Sequence, residues 1–320
     1  MAGTADFVGG PNILVPLDAS DLAEKALDFS AALARRSGGR LTLVTVPLLY
    51  HLDLSALHPY PGGRSAPDYI APPDELIRAS VAEAEQYLQL TAARLTREGL
   101  KVDARVVSAM PADAILDQAE SGAADLIVMA THGRGGVSRW AMGSVTDKVL
   151  QASPCPIIVL RGGRQRDPIA LSKILVPLDG SALAEACLLR LLPLAKAFEA
   201  QLALVQVIVP LETLPIEIVG AMLAGEELYR EEVAGYLETQ AERLRSEGLD
   251  VSTEVLLGDS VAETLLERSA RDDCDMIALS THGRGGLRRW AFGSVADRLV
   301  RQADTPVFVV REANPPVNAG

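Results

Sequence analysis

The stretch ILVPLDAS at residues 13–20 returns as ILVPLDGS at 174–181, 161 residues later. LTLVTV (41–46) returns as LALVQV (202–207) at the same offset. EGLKV (98–102) returns as EGLDV (247–251) 149 residues on, and THGRGG (131–136) returns at 281–286 after 150. PIIVLR and PVFVVR close the two copies in the same order. A period of about 150 residues is the size of a whole domain rather than of a solenoid unit. The 320 residues therefore read as two tandem domains, 12–161 and 172–311. Where the offset falls from 161 to 149, the first copy carries 12 extra residues, within PLLYHLDLSALHPYPGGRSAPDYIAPPDE. The second copy has VPLETLPIEIVGAMLAGEE there. Both stretches read as loops with room for short helices.

Within a copy, strand and helix signals alternate. Residues 12–17 form a short apolar run, a strand. Ser20 stands where an N-cap is expected, and Leu22, Ala26, Phe29 and Leu33 follow at helical spacing until Gly38-Gly39. A second strand is expected at 41–47. A helix marked by Val81, Ala84, Leu88, Ala92 and Leu95 stops at Gly99. A strand at 102–108, a helix near 112–121, the apolar strand DLIVMAT (125–131), a helix near 144–152 and the strand PIIVLR complete the unit. Continuous apolar strands separated by helices indicate a buried parallel sheet. The fold class is α/β: two Rossmann-like domains, each a five-stranded parallel sheet with helices on both faces. Aromatics are only 4% of the chain, so Ala, Leu and Val must build that core.

The net charge of −12 argues against nucleic acid and against an anionic membrane surface, both of which need clustered Lys and Arg. Cys155, Cys187 and Cys274 show no paired spacing, which fits a reducing cytoplasm and small core side chains rather than disulfides or zinc. No signal peptide and no transmembrane run is expected.

In open α/β sheets ligands sit at the carboxyl ends of the strands, where the strand order reverses. Asp18 and Asp179 end the first strand of each copy, in VPLD runs that include Pro16 and Pro177. The glycine-rich stretches leave the fourth strand. Gly133 is followed after nine residues by Gly143-Ser144, and Gly283 after nine by Gly293-Ser294. Glycine permits close backbone approach to an anion, and a helix start offers N–H groups and a favourable dipole. SVTD (144–147) and SVAD (294–297) also fit a capping box, with Asp147 and Asp297 reciprocating Ser144 and Ser294. Two readings stand: a phosphate cradle, or well-capped helices behind a turn. A P-loop is excluded because neither stretch contains lysine; a dinucleotide fingerprint fails because Ser138 and Arg288 occupy its third glycine.

These motifs resemble those of tandem universal stress proteins, over nearly the whole chain. Nucleotide-binding members carry Gly-x2-Gly-x9-Gly-Ser/Thr after the fourth strand and an aspartate after the first. The resemblance implies an adenine nucleotide alpha hydrolase-like fold and bound ATP, with or without Mg²⁺. It places Asp18 and Asp179 against ribose or adenine, and Val46 and Val207 against adenine through backbone groups. It assigns the phosphates to Gly133, Gly143, Ser144 and Val145, and to Gly283, Gly293, Ser294 and Val295. The motif's first glycine is Ala130 in one copy and Ser280 in the other. The family's Gly-x-Pro after the third strand is Ala109-Met110-Pro111 in one copy and Gly258-Asp259-Ser260 in the other, so the two sites are expected to differ.

His132 and His282 are read as loop-fixing hydrogen bonders, because no serine, cysteine or carboxylate stands at a spacing that would make them bases. Arg134 and Arg284 either touch phosphate or are solvated. Trp140 and Trp290 read as anchors, and His51, His58, Tyr50, Tyr60 and Tyr69 as part of an ordered surface loop. No lysine clamp or acidic pair suits an efficient kinase. The expectation is a non-enzymatic, ATP-binding, cytoplasmic signalling or protective module, with the two copies paired within one chain or in a homodimer of chains. A slow ATPase, an enzyme autophosphorylated on Ser144 or Ser294, and a nucleotide-free interaction module are the alternatives.

Overall fold

The computed structural model describes residues 10–47, 74–122, 124–131, 142–161, 171–209, 216–271, 274–281 and 293–311, with no side chains described for 216–226. Alternate residues of β1 (Asn12–Leu17) show why it lies at the centre. Ile13, Val15 and Leu17 pack into one apolar cluster and Leu14 into a second on the opposite face. A strand buried on both sides needs a helix layer on each. The chain supplies them in order: α1 (Asp21–Ser37), β2 (Arg40–Thr45), α2 (Asp74–Arg97), β3 (Lys101–Val106), α3 (Pro111–Ser121), β4 (Leu126–Ala130), α4 (Ser144–Ala152) and β5 (Ile157–Leu160). The second half repeats them as β6 (Lys173–Pro177), α5 (Ala182–Phe198), β7 (Gln201–Ile208), α6 (Ile216–Ser246), β8 (Val251–Leu257), α7 (Val261–Arg271), β9 (Met276–Ser280), α8 (Ser294–Gln302) and β10 (Val307–Val310).

The strand order is β3-β2-β1-β4-β5-β10-β9-β6-β7-β8. Among the described residues each half contributes a parallel array to one continuous sheet. The seam is antiparallel, with Phe308 opposite Ile158 and Val307 opposite Val159. Pairing the two terminal strands removes two apolar edges that would otherwise be open to other chains. Both apolar clusters cross the seam. One holds Ile158, Leu160, Phe308 and Val310 between α1, α2, α5 and α6; the other holds Val149, Leu150, Leu299 and Val300 from α4 and α8. The α1–α5 contact adds Arg36, whose Nε donates to the Ala197 carbonyl at 3.2 Å while its guanidinium lies 5.9 Å from the Phe198 ring centre.

Local rules account for most boundaries. Ser20 and Ser181 cap α1 and α5, accepting from the N–H of Ala23 and Ala184. Gly38 ends α1 at φ 68° and Gly99 follows α2 at φ 86°, conformations that suit glycine. One expectation is corrected. The stretch 209–227 reads as a loop, yet α6 begins at Ile216 and runs 31 residues. Gly220 and Gly225 suggest a break, but the intervening Ala221-Met222-Leu223-Ala224 and the following Glu226-Glu227 favour helix strongly enough to carry it through.

Candidate nucleotide site at the carboxyl edge

The chain winds outward from β1 through β2 to β3, then returns to β4 on the other side of β1. This reversal lies between β1 and β4, and between β6 and β9 in the second half. The β1–β4 ladder pairs Ile13 with Leu126 and Leu14 with Ile127 and stops short of Pro16. The β6–β9 ladder pairs Ile174 with Met276 and Leu175 with Ile277 and stops short of Pro177. Proline has no N–H to donate, so a central strand cannot stay zipped through it on both sides. The two prolines thus sit just beyond the last β1–β4 and β6–β9 pairs, at the strand-order reversal where open α/β sheets form their ligand crevice.

Register places the expected residues around that crevice. Leu17 pairs with Thr45, so Asp18 leaves the sheet beside Val46. Continued along the strands, the β1–β4 register brings Thr131 to the other side of Asp18. The second half repeats this with Asp179 between Val207 and Thr281. Val46 lies just beyond β2, whereas Val207 lies inside the longer β7. Ala130 and Ser280 are the last residues of β4 and β9.

The aspartates are held by the helix starts behind them. Asp18 Oδ1 accepts from the Ser20 N–H at 3.0 Å and the Ser20 hydroxyl at 2.6 Å. Asp179 Oδ1 accepts from the Ser181 N–H at 3.0 Å. Between them the backbone turns left-handed, at Ala19 with φ 59° and at Gly180 with φ 76°. A non-glycine residue held there is strained, and such strain concentrates at functional turns.

Each glycine-rich stretch is closed by one backbone bond. The Gly143 N–H donates to the Thr131 carbonyl at 2.9 Å, and the Gly293 N–H to the Thr281 carbonyl at 2.7 Å. This overturns the expected capping box. Gly143 and Gly293, not Ser144 and Ser294, are the N-caps of α4 and α8, and among the described residues neither helix receives a side-chain cap. The bond to the strand end holds each glycine extended at the cap position and shifts the serine to the first helical residue. Asp147 then reaches forward, accepting from Gln151 Nε2 at 2.9 Å, and Asp297 accepts from Arg301 Nε at 2.8 Å. In a first turn so capped, the N–H groups of residues 144–146 and 294–296 have no intrahelical partner. Ser144 and Ser294 are exposed, and Val145 and Val295 half-buried, at this helix start. Gly133, Arg134, Gly283, Arg284, both loop histidines and both tryptophans lie outside the described residues.

Two side-chain features escaped the sequence reading. Tyr87 on α2 donates its hydroxyl to Glu24 on α1, and Tyr236 on α6 donates to Glu185 on α5 at 3.2 Å. Burial, then the Glu24 carboxylate, then the charge of Asp18 push the Tyr87 hydroxyl far above its ordinary range. The repeat itself was the available signal, because the Tyr–Glu pair occupies matching positions in both copies. The other feature is Thr146, a buried residue whose hydroxyl reaches the carbonyl of Ala130 at 3.0 Å.

Comparison with known proteins agrees with this architecture. The model of the universal stress protein family matches twice, at residues 11–161 and 171–311. A universal stress protein of Thermus aquaticus is 33% identical over 152 residues, 47% of this chain and 97% of its own. A universal stress protein of Mycolicibacterium smegmatis is 24% identical over 304 residues, 93% of this chain and 96% of its own. The crystal structure of a universal stress protein from Archaeoglobus fulgidus superposes with a TM-score of 0.66 at 18% identity, covering 95% of this chain and 97% of that one, a likeness of fold. The chain belongs to the universal stress protein family and carries two of its domains in tandem.

Proposed function

We propose that each half binds an adenine nucleotide, ATP, at the carboxyl edge of its strands, and that the chain is a stress-response signalling or protective module whose state follows that ligand. The observation that carries this reading is the paired, glycine-capped first turns of α4 and α8, each tied to a strand end whose register runs beside an oriented aspartate. N–H groups without an intrahelical partner at a helix start, where the dipole is positive, suit the oxygens of a phosphate chain. The exposed hydroxyls of Ser144 and Ser294 add a donor each. Asp18 and Asp179, fixed by the N–H of Ser20 and Ser181, present acceptors suited to ribose hydroxyls. In this reading the base lies against the strand ends at Val46 and Val207.

ATP supplies the phosphate charge that the helix starts neutralise, and Mg²⁺ bound to those phosphates would complete its shell with water. Among the described residues no group of three His, Cys, Asp or Glu side chains is placed to hold a metal ion. No helix among them is long and apolar enough to cross a membrane. Calorimetric titration with ATP, AMP and GTP tests the reading. ATP is expected to bind and to raise the melting temperature, since ligand at 100 times Kd adds about 2.7 kcal/mol. Absence of heat and of stabilisation at millimolar ATP would remove it.

A further inference from the structure

We infer that Thr146 makes the first half the tighter of the two nucleotide sites, an inference that rests on the reading of the crevice given above. Thr146 stands in the first turn of α4 and is 3% exposed. Its Oγ1 lies 3.0 Å from the Ala130 carbonyl oxygen and 3.3 Å from that of Thr131. Those carbonyls mark the point where β4 ends and the glycine-rich stretch begins. One hydroxyl proton therefore clamps the start of the phosphate-facing helix to the end of the strand.

The second half has the same backbone frame and lacks this clamp. Gly293 bonds Thr281 as Gly143 bonds Thr131, and GSVAD replaces GSVTD. The substituted position is Ala296, 2% exposed, which supplies no hydroxyl. The clamp sets the distance between two parts of the site: the first-turn N–H groups of α4 on one side, and the strand ends carrying Asp18 and Val46 on the other. A site ordered before the ligand arrives loses less affinity to ordering. A neutral hydrogen bond corresponds to about a three- to tenfold difference in binding. Thr146 acts through backbone it holds in place, so it is a positioning residue.

The experiment is calorimetric titration of the full chain with ATP, which resolves a tight and a weak class of one site each. Thr146→Ala is expected to weaken the tight class about three- to tenfold and leave the weak class unchanged, which serves as the control within the same molecule. Thr146→Ser keeps the hydroxyl and is expected to keep the tight class. Ala296→Thr is expected to tighten the weak class and draw the two together. A folded Thr146→Ala variant with an unchanged tight class would overturn the inference, as would equal losses in Thr146→Ala and Thr146→Ser or a wild-type chain with two indistinguishable sites. A wild-type chain that takes up no ATP brings down the nucleotide reading itself, and this inference with it.

Discussion

The Gly143 N–H donates to the Thr131 carbonyl across the whole glycine-rich stretch, at 2.9 Å, and Gly293 repeats the bond to Thr281 at 2.7 Å. The bond does two things at once. It closes a loop of fixed span at the carboxyl edge of β4 or β9, and it installs a residue without a side chain at the helix cap. A serine or aspartate there would satisfy the first-turn donors from within the protein. The glycine supplies no such acceptor of its own, in either half.

The turn after the first strand predicts a difference between the halves. Ala19 adopts φ 59° where its counterpart Gly180 adopts φ 76°. A side chain in the left-handed region costs about 1–2 kcal/mol, partly offset by the greater freedom of glycine in the unfolded chain. Ala19→Gly is expected to stabilise the protein by up to about 1 kcal/mol, and Gly180→Ala to destabilise it by a similar amount. Glu199, at φ 52° where α1 has Gly38, should respond to Glu199→Gly as Ala19 does. Urea denaturation measures all three; a loss of stability in Ala19→Gly would show that the turn is unstrained.

The seam predicts how the halves behave apart. Phe308 is 2% exposed and pairs with Ile158 across it. Phe308→Ala should cost about 3–5 kcal/mol. Either half expressed alone should self-associate through its freed β5 or β10 edge, as judged by sedimentation. Two soluble, monomeric halves would contradict the role given to the seam.

The buried thiols predict the alkaline limit of stability. Burial pushes Cys187 up to about 12, and burial, opposed by the Ser153 hydroxyl, pushes Cys155 up to about 11. In the unfolded chain both ionise near pH 8.5. Protons then leave the unfolded state first, so stability is complete below that pH and falls as pH rises towards the folded values. The expected loss between pH 8 and pH 10 is about 2 kcal/mol per thiol. It should shrink in Cys187→Ala when compared with wild type over the same range. A flat profile in the wild type would contradict the burial of these groups.

Much of this was legible in the sequence, for identifiable reasons. Apolar runs and Gly or Ser punctuation located β1, α1, β4 and α4 to within a few residues, because local propensity and burial agree there. The duplicated VPLD and Gly-x9-Gly-Ser spacings pointed to Asp18 and Gly143 at the carboxyl edge, because both motifs follow strand ends; Val46 came only from the family resemblance. The cap register of α4 was misread by one residue. Local rules favour serine as the cap, and the Thr131–Gly143 bond that displaces it spans 12 positions. The Thr146 clamp and the Tyr87–Glu24 pair depend on packing between elements, which spacing along the chain does not report. The start of α6 was hidden by two glycines whose local cost the long helix absorbs.

The first turns of α4 and α8 are the proposed seat of the nucleotide phosphates. The most direct test is ATP affinity and melting temperature in Ser144→Asp, Ser294→Asp and the double variant. Aspartate is well tolerated in a helix first turn and favoured by the dipole, so the fold should be kept or slightly stabilised. A carboxylate at the phosphate position repels the ligand. A well-folded double variant that no longer binds ATP is expected, with each single variant losing one of the two sites. A folded double variant that binds ATP as tightly as the wild type would contradict that assignment.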